Sequence, residues 1–397
     1  MENSKDFYEK IAELCLDKFK ALPKSGKPNL AEWTVLSCIV MELKGDLSVV
    51  ALGTGSKCIG KTKMSDTGGV LNDSHAEVIC RRSFLRFMYY QMKIDSSLLH
   101  FNEDTKKFAM NCNAQFHFFT TQVPCGDAAI FPKQKTEDIG DVMEEGVPSK
   151  KRKRNDDDDD LFRTGAKCLE DSQLRDMKLP GTGYHILGAV RTKPGRGDPT
   201  LSVSCSDKLS RWCHLGIQGA LLSLLLERPI YLSSFIITSN TPFSETSLER
   251  ALYGRVGNIS LNYPYLHHKM NVFRCSKEFE FSKTDGKQAS PTSISWCDVN
   301  EKSLEVAVDG RRQGITKKKA NTEMAYLRIC KRELFKNFLI VCETKNIMLK
   351  TDCDNCSLTY ESVKNFAEQY QKSWNMLRKS FEVWTYKDKN LNKFSIK

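Results

Sequence analysis

Apolar residues recur along this chain with two periods, and the switches between them mark its elements. From Phe7 to Ala21 the spacing of Ile11, Leu14, Cys15 and Phe19 is that of an amphipathic helix. A polar turn with Pro23, Gly26 and Pro28 follows. Thr34–Leu43 and Ser48–Leu52 read as short apolar strands, the second running into Gly53-Thr-Gly55. Helical spacing returns from His75 to about Lys93, and Gln115–Thr121 alternates as a Phe- and Thr-rich strand leading into Pro124. Asp207–Glu227 reads as one long, strongly apolar helix, and a charged helical stretch over Tyr360–Phe381 lies near the end. Strands alternating with helices predict an α/β domain.

Residues 133–182 break this pattern. Lys150-Lys-Arg-Lys-Arg154 directly precedes Asp156–Asp160, and aromatics are few. Such a composition predicts a solvated, largely disordered insertion within one domain spanning 1–397. The basic run reads either as a nuclear import signal or as the electrostatic partner of the acidic run beside it.

Composition narrows the function classes. With 27 % charged and 40 % hydrophobic residues, the chain of 397 residues is neither collagenous, coiled-coil nor wholly disordered. Its apolar runs fall short of a membrane span, and Met1–Lys20 lacks the apolar core of a signal peptide. A protein that is not secreted, nuclear or cytoplasmic, is expected. Its 15 cysteines are then mostly reduced thiols or metal ligands. The net charge of +11 favours a polyanionic partner without identifying one.

Three short motifs carry metal-type ligands at predicted strand-to-helix junctions. They are His75-Ala-Glu77 after the capping-type residues Asn72, Asp73 and Ser74; Pro124-Cys-Gly-Asp127; and Ser204-Cys-Ser-Asp-Lys208. One His and two Cys make a three-ligand zinc site with a fourth position open to water, the catalytic arrangement. Thiolates at helix N-termini gain from the helix dipole as well. Glu77 can act as proton carrier only if His75 and Glu77 share the first turn, because residues two apart diverge in mid-helix. Singly, each motif has an ordinary structural reading as a capped helix start or a turn. Together, His-x-Glu followed by Pro-Cys is most of the signature of zinc nucleobase deaminases. Ala128 stands where that signature has its second Cys, so the third ligand must come from a distance, and Cys205 is the candidate.

With these segments, Gly55-Ser-Lys-Cys-Ile59, Arg81-Arg82, Leu209-Ser-Arg-Trp212, Gly216-Ile-Gln-Gly219 and Pro229-Ile-Tyr-Leu-Ser233 resemble the adenosine-to-inosine RNA-editing deaminases. Glu32-Trp-Thr34, Lys193-Pro-Gly-Arg-Gly-Asp198 and Tyr370-Gln-Lys-Ser-Trp374 are similar to its tRNA branch, which edits the adenosine 3′ to the anticodon, position 37, of eukaryotic alanine tRNA. The resemblance covers the chain outside 133–182. It implies a cytidine-deaminase-like three-layer sandwich, a central mixed β-sheet flanked by helices, with the zinc site at helix N-termini. It implies one zinc on His75, Cys125 and Cys205, Glu77 as acid/base, a monomer, and hydrolysis of adenosine to inosine. Ser56, Lys57 and Arg196 match positions near the bound nucleotide. The duplex-RNA editors carry a Gly-Glu-Gly loop before the third ligand, whereas Thr192–Asp198 is shorter and has no Glu. An unpaired base costs least to extrude, so tRNA is favoured over double-stranded or messenger RNA. A catalytically inactive RNA-binding relative is the remaining alternative, opposed by the intact His75, Glu77, Cys125 and Cys205.

Arg81 and Arg82 lie in an apolar helix, and Lys208 and Arg211 lie three apart in another. The residues alone are compatible with a solvated face. The resemblance implies instead a buried inositol hexakisphosphate held by Asn72, Arg81, Arg82, Lys208, Arg211, Lys331, Tyr360, Lys364, Tyr370, Trp384 and Lys387. Trp374 and Tyr386 depart from that pattern, standing for a Lys and a Glu. Cys353-Asp-Asn-Cys356 has metal spacing without a partner pair, His267-His268 reads as a surface or RNA-contacting pair, and Arg311, Arg312 and Lys317–Lys319 as a solvated or RNA-contacting loop.

Overall fold

A computed structural model describes residues 2–94, 96–132, 164–179, 183–195, 197–349 and 358–396. Helix α1 (Glu2–Ala21) carries the apolar stripe predicted from Phe7 onward. It packs across a mixed sheet whose first two strands, β1 (Leu36–Leu43) and β2 (Asp46–Thr54), form a hairpin with Leu43 opposite Asp46. A short side pair follows, β3 (Ser56–Cys58) with β4 (Asp73–His75), the latter running directly into α2 (Ala76–Lys93). Then come β5 (Ala114–Thr120), α3 (Cys205–Leu215), α4 (Gly219–Leu225), β6 (Ser234–Ile237) and β7 (Asn271–Arg274). An antiparallel run, β8 (Thr292–Cys297), β9 (Leu304–Val308) and β10 (Arg311–Arg312), completes the sheet, and α5 (Lys331–Thr344), α6 (Tyr360–Asn365) and α7 (Glu368–Lys379) follow.

The sheet order is β7-β6-β5-β1-β2-β8-β9-β10. β5, β6 and β7 are mutually parallel and the other neighbours antiparallel. Successive side chains of a strand face opposite ways, and the two faces bury two cores. Cys38, Val40, Phe119 and Ile236 meet Ile11, Cys15 and Phe19 of α1. Ile39, Phe118 and Phe235 meet Phe84 and Phe87 of α2, Leu209 of α3 and Phe335 of α5. This is the three-layer α/β sandwich expected.

Gly53 sets how α2 enters. A Cβ there would stand 2.4 Å from the Cys80 amide nitrogen and 2.5 Å from the Ala76 carbonyl. The bare backbone of β2 thus lets the first turn of α2 lie directly on the sheet.

Two expectations are corrected. Asp207–Glu227 is not one helix: it breaks at Gly216-Ile-Gln-Gly219, where both glycines take positive φ, 73° and 74°. The Gln218 side chain ties the corner, accepting from the Ile230 amide and donating to the Leu215 carbonyl. Within the expected insertion over 133–182, residues 164–176 make packing contacts, whereas Met177 and Leu179 are exposed. Lys167–Cys168 pairs with Arg191–Thr192, Leu169 is buried beside Val190 and Val203, and the carboxylate of Asp176 takes both terminal nitrogens of the fully buried Arg191 at 2.8 and 2.6 Å. Asp176 is thus a half-buried ion-pair partner, while Lys167, Glu170, Asp171, Arg175 and Lys178 are exposed. Lys150–Arg154 and the rest of 133–163, with Cys353 and Cys356, lie outside the described residues.

Candidate active site

The parallel strands β5 and β6 end side by side at Thr120 and Ile237. A crevice beyond the carboxyl ends of adjacent parallel strands is where α/β sheets take ligands. Here Gln122, Val123, Asn240 and Pro242, just past those ends, line a cleft of about 1170 Å³ together with Ser56, Lys57, His75, Glu77 and Cys125.

Three elements converge on its floor. His75 ends β4 as the N-cap residue of α2, Cys125 lies in the loop after β5, and Cys205 opens α3. His75 Nδ1 stands 3.9 Å from Cys125 Sγ and 3.7 Å from Cys205 Sγ, and the Cys205 amide donates to Cys125 Sγ at 3.3 Å. One ligand atom from each lies within 4.8 Å of the others, so the three can hold one metal ion. α3 is fixed by a capping box between Ser204 and Asp207. The Ser206 hydroxyl staples α3 to the Cys125 loop by donating to the Cys125 carbonyl at 2.9 Å.

Behind the thiols runs a buried charge chain. Lys193, 2 % exposed, donates to Cys205 Sγ at 3.2 Å and to both Asp73 oxygens at 3.0 and 2.9 Å. Lys208 reaches the same carboxylate at 2.5 Å. Burial opposes the Lys193 charge, but Asp73, Cys205 and Cys125 outweigh it and hold the ammonium well above its ordinary pKa. Burial likewise works against the Asp73 carboxylate, and Lys193 and Lys208 overcome it, holding Asp73 well below. The hydrogen bond with Cys205, reinforced by Lys193 and His75, holds the Cys125 thiol well below its usual range. That is the chemistry of a thiolate ligand. Cys58, Asp73 and His75 form a second grouping that shares His75. Its Cys58 thiol is pushed up by burial and by Asp73, and the Asp73 carboxylate is engaged by two lysines, so it lacks the free soft donors of the first.

Glu77 sits in the first turn of α2, 3 % exposed, on the cleft wall, and its Oε2 has no hydrogen-bond partner. The geometric condition on the His75–Glu77 pair is therefore met. The capping expectation is not: no side chain caps α2, and Asp73 Oδ1 accepts from the His75 amide instead. Ser56, whose hydroxyl is buried without a partner, and Lys57 both line the cleft. Arg196 lies outside the described residues. Lys193 and Asp73 escape sequence reasoning as a pair, because a lysine before Pro194-Gly195 looks like a solvated loop residue.

Below this site the cations singled out earlier do converge. Arg81 Nε donates to the Ile217 carbonyl at 2.7 Å, Arg82 Nε to Ile329 at 2.6 Å, and Lys331 Nζ to Asn392 at 2.8 Å. Arg211 donates to the Tyr370 hydroxyl at 2.8 Å. Desolvation, with Arg211 and Arg82 nearby, pushes Arg81 down to about 10. Desolvation, then Lys387, Lys364 and Arg82, pushes Lys331 down to about 7. Desolvation, with Lys208 and Lys364, pushes Lys387 down to about 8. Trp374, one of the two departures, supplies a ring 3.9 Å from the Arg211 guanidinium and meets Trp384 edge-on, while Tyr386, the other, is exposed. Asn72 neighbours Asp73, and Lys364 lies over the Tyr360 ring.

His267 is exposed and His268 half-buried, and both have partners within the chain: Nδ1 of His267 meets Nε2 of His214 at 2.9 Å, and His268 stacks on Tyr231. No helix among the described residues is long and apolar enough to cross a membrane.

Comparison with known proteins gives the family of the chain. The model of the adenosine-deaminase (editase) domain matches residues 51–388. The chain is 39 % identical to a Drosophila melanogaster protein named tRNA-specific adenosine deaminase 1, over 99 % of this chain and 98 % of that one. It is 32 % identical to the Homo sapiens protein of the same name, over 95 % and 97 %. A Mus musculus double-stranded RNA-specific adenosine deaminase is 30 % identical over 96 % of this chain but only 31 % of its own length. With the domain model spanning most of the chain and the ligand set and buried glutamate in place, the chain belongs to the adenosine-deaminase (editase) domain family.

Proposed function

We propose that this chain hydrolyses adenosine to inosine and ammonia in tRNA, at the adenosine 3′ to the anticodon (position 37) of alanine tRNA. The observation that carries the chemistry is Glu77, a buried carboxylate with a free oxygen on the same cleft wall as His75 and Cys125. Support for the substrate comes from the near full-length likeness to proteins named for tRNA.

His75, Cys125 and Cys205 would hold a zinc ion, whose Lewis acidity lowers the pKa of a water to about 7. Two soft thiol donors and one imidazole suit that metal, and three protein ligands leave a position open. Glu77 takes the proton of the attacking water, passes it to the ring nitrogen as C6 becomes tetrahedral, and delivers the next to the departing amine. The cleft walls would orient the base and exclude bulk water, and Ser56 and Lys57, which line the cleft, would meet the nucleotide.

The cation cluster supports a second bound group. Its cations are half-buried beside one another, repulsion that a bound anion would relieve, and the Arg211 Nε is buried without a partner. A compact polyphosphate, inositol hexakisphosphate, would satisfy Asn72, Arg81, Arg82, Lys208, Arg211, Lys331, Tyr360, Lys364, Tyr370, Trp384 and Lys387 together. We further infer a monomer located in the nucleus or cytoplasm.

The test is inosine formation on unmodified alanine tRNA beside a hairpin duplex, with Glu77→Gln as control. Inosine next to the anticodon, absent from the duplex and reduced about 10²- to 10⁴-fold in the variant at equal zinc content, is expected. Editing of the duplex alone would overturn the substrate; full activity in the variant would overturn the role of Glu77.

A further inference from the structure

The cleft has one wall that the deamination chemistry does not use. Glu32–Trp33 pairs in parallel with Gln288–Ala289, the Thr34 amide donates to the Phe281 carbonyl at 3.0 Å, and the Ser290 amide donates to the Trp33 carbonyl at 2.9 Å. This pins two loops together so that Trp33, Val35 and Lys283 line the cleft with His75 and Glu77. In extended chain, residues two apart share a face. Val35 is 7 % exposed and lies deeper, whereas Trp33 is half-buried. The Lys283 ammonium stands 5.7 Å from the Trp33 ring centroid.

Among the described residues, Trp33 is the single tryptophan on this cleft. Trp212 and Trp296 belong to the buried cores, and Trp374 and Trp384 pack on each other by the cation cluster. A half-open indole carrying a cation, beside further cations at Lys57 and Lys63, matches the physics of single-stranded nucleic-acid sites. There, an aromatic face takes a base and nearby ammonium groups take its phosphates. A small polar substrate would need no such platform at the cleft wall.

We propose that Trp33 and Lys283 form a stacking platform for an unpaired nucleobase of the RNA loop that flanks the target adenosine. This rests on the reading that the substrate is an adenosine in an RNA loop and makes Trp33 a determinant of single-stranded context. A base already splayed from its neighbours can use the platform, whereas a base stacked within a duplex cannot.

The test measures binding, separately from editing. The full chain, as wild type, Trp33→Ala, Trp33→Phe and Lys283→Gln, is titrated with anticodon stem-loop RNAs in which each loop nucleotide in turn is made abasic. One abasic position next to the target adenosine should weaken wild-type binding about 5- to 150-fold, the span of one base–aromatic stack. The same abasic change should cost nothing further in Trp33→Ala, and Trp33→Phe should bind close to wild type. Lys283→Gln should lower the salt slope of binding by about one. A 2-aminopurine at that position should lose fluorescence on binding wild type and not Trp33→Ala. Multiplying losses from the abasic site and Trp33→Ala, or unchanged affinity in Trp33→Ala, would overturn the platform. Absence of inosine in the wild type would count against the substrate reading alone, while the affinities still decide the platform.

Discussion

Lys193 donates to the thiol of Cys205 at 3.2 Å while the same ammonium holds both carboxylate oxygens of Asp73, at 3.0 and 2.9 Å. A metal-ligand candidate is thereby wired to a buried acid that also receives Lys208. Burial and the hydrogen bond with Cys125 push the Cys205 thiol well above its usual range, and Lys193 is the group that works against them. The same ammonium ties the geometry of α3 to that of β4.

Removing that ammonium should therefore be costly twice over. The Lys193 and Asp73 side chains are 1 % and 6 % exposed, and breaking a buried pair by deleting one partner costs about 3–5 kcal/mol. Lys193→Met is expected to lower the thermal midpoint and the zinc retained per chain together. A variant with the midpoint and zinc content of the wild type would show that Lys208 alone satisfies Asp73.

The cation cluster makes stability depend on pH in a direction that reports its ligand. Lys331 and Lys387 are held at about 7 and about 8, by desolvation first and then by neighbouring cations, against 10.5 in the unfolded chain. Between those values the unfolded chain binds more protons than the folded one, so stability rises with pH from about 7 toward 10. Lys364, Arg82 and Lys208 add to the repulsion, while Asp73 and Cys58 act on Lys387 in the opposite sense. Bound inositol hexakisphosphate should return both lysines toward their ordinary values and flatten that rise. Thermal midpoints between pH 7 and 10, with and without added polyphosphate, check this; parallel curves would remove the cluster as a polyanion site.

Much of this molecule is legible in its sequence because its local signals agree with its tertiary structure. The stripe Ile11, Cys15, Phe19 names a buried face and the structure buries it, and the strand expected over Gln115–Thr121 forms, with both of its faces buried from Phe116 to Thr120. The three candidate ligands are legible because residue type and junction position coincide. What escapes is set by contacts distant in sequence. Gly216 and Gly219 turn the chain inside an apolar run, and apolar content alone cannot register the corner. Asp176 looks solvated among charged neighbours until Arg191 arrives from another segment. Lys193 looks the same until Asp73 arrives, 120 positions away in sequence.

Gly53 offers a test of how the sheet positions the site. A methyl group there would overlap the Cys80 amide nitrogen at 2.4 Å and the Ala76 carbonyl at 2.5 Å, both backbone atoms that cannot swing aside. Gly53→Ala must push the first turn of α2 off β2, at about 1–3 kcal/mol for overpacking. His75 and Glu77 ride on that turn. Zinc affinity and kcat are both expected to fall, with KM for RNA less affected. A variant that is destabilised but keeps its metal affinity would show that α2 accommodates the methyl without moving its N-terminus.

The basic loop beyond β10 separates affinity from chemistry. Lys317, Lys318 and Lys319 are exposed, whereas Arg311 is engaged by the Ala320 carbonyl at 2.9 Å. Exposed lysines that meet RNA phosphates act through counterion release, each adding about 0.7–0.9 to the slope of log affinity against log salt. Replacing all three by Gln should weaken tRNA binding, reduce that slope by about 2–3, and leave zinc content and kcat at saturating RNA unchanged, because none of the three lines the cleft. The effect should be equal for stem-loop variants that differ only in loop bases, since phosphates carry no base identity. A slope unchanged by the triple substitution would make the loop a solvated surface and leave Lys57, Lys63 and Lys283 at the cleft as the cations that meet the RNA backbone.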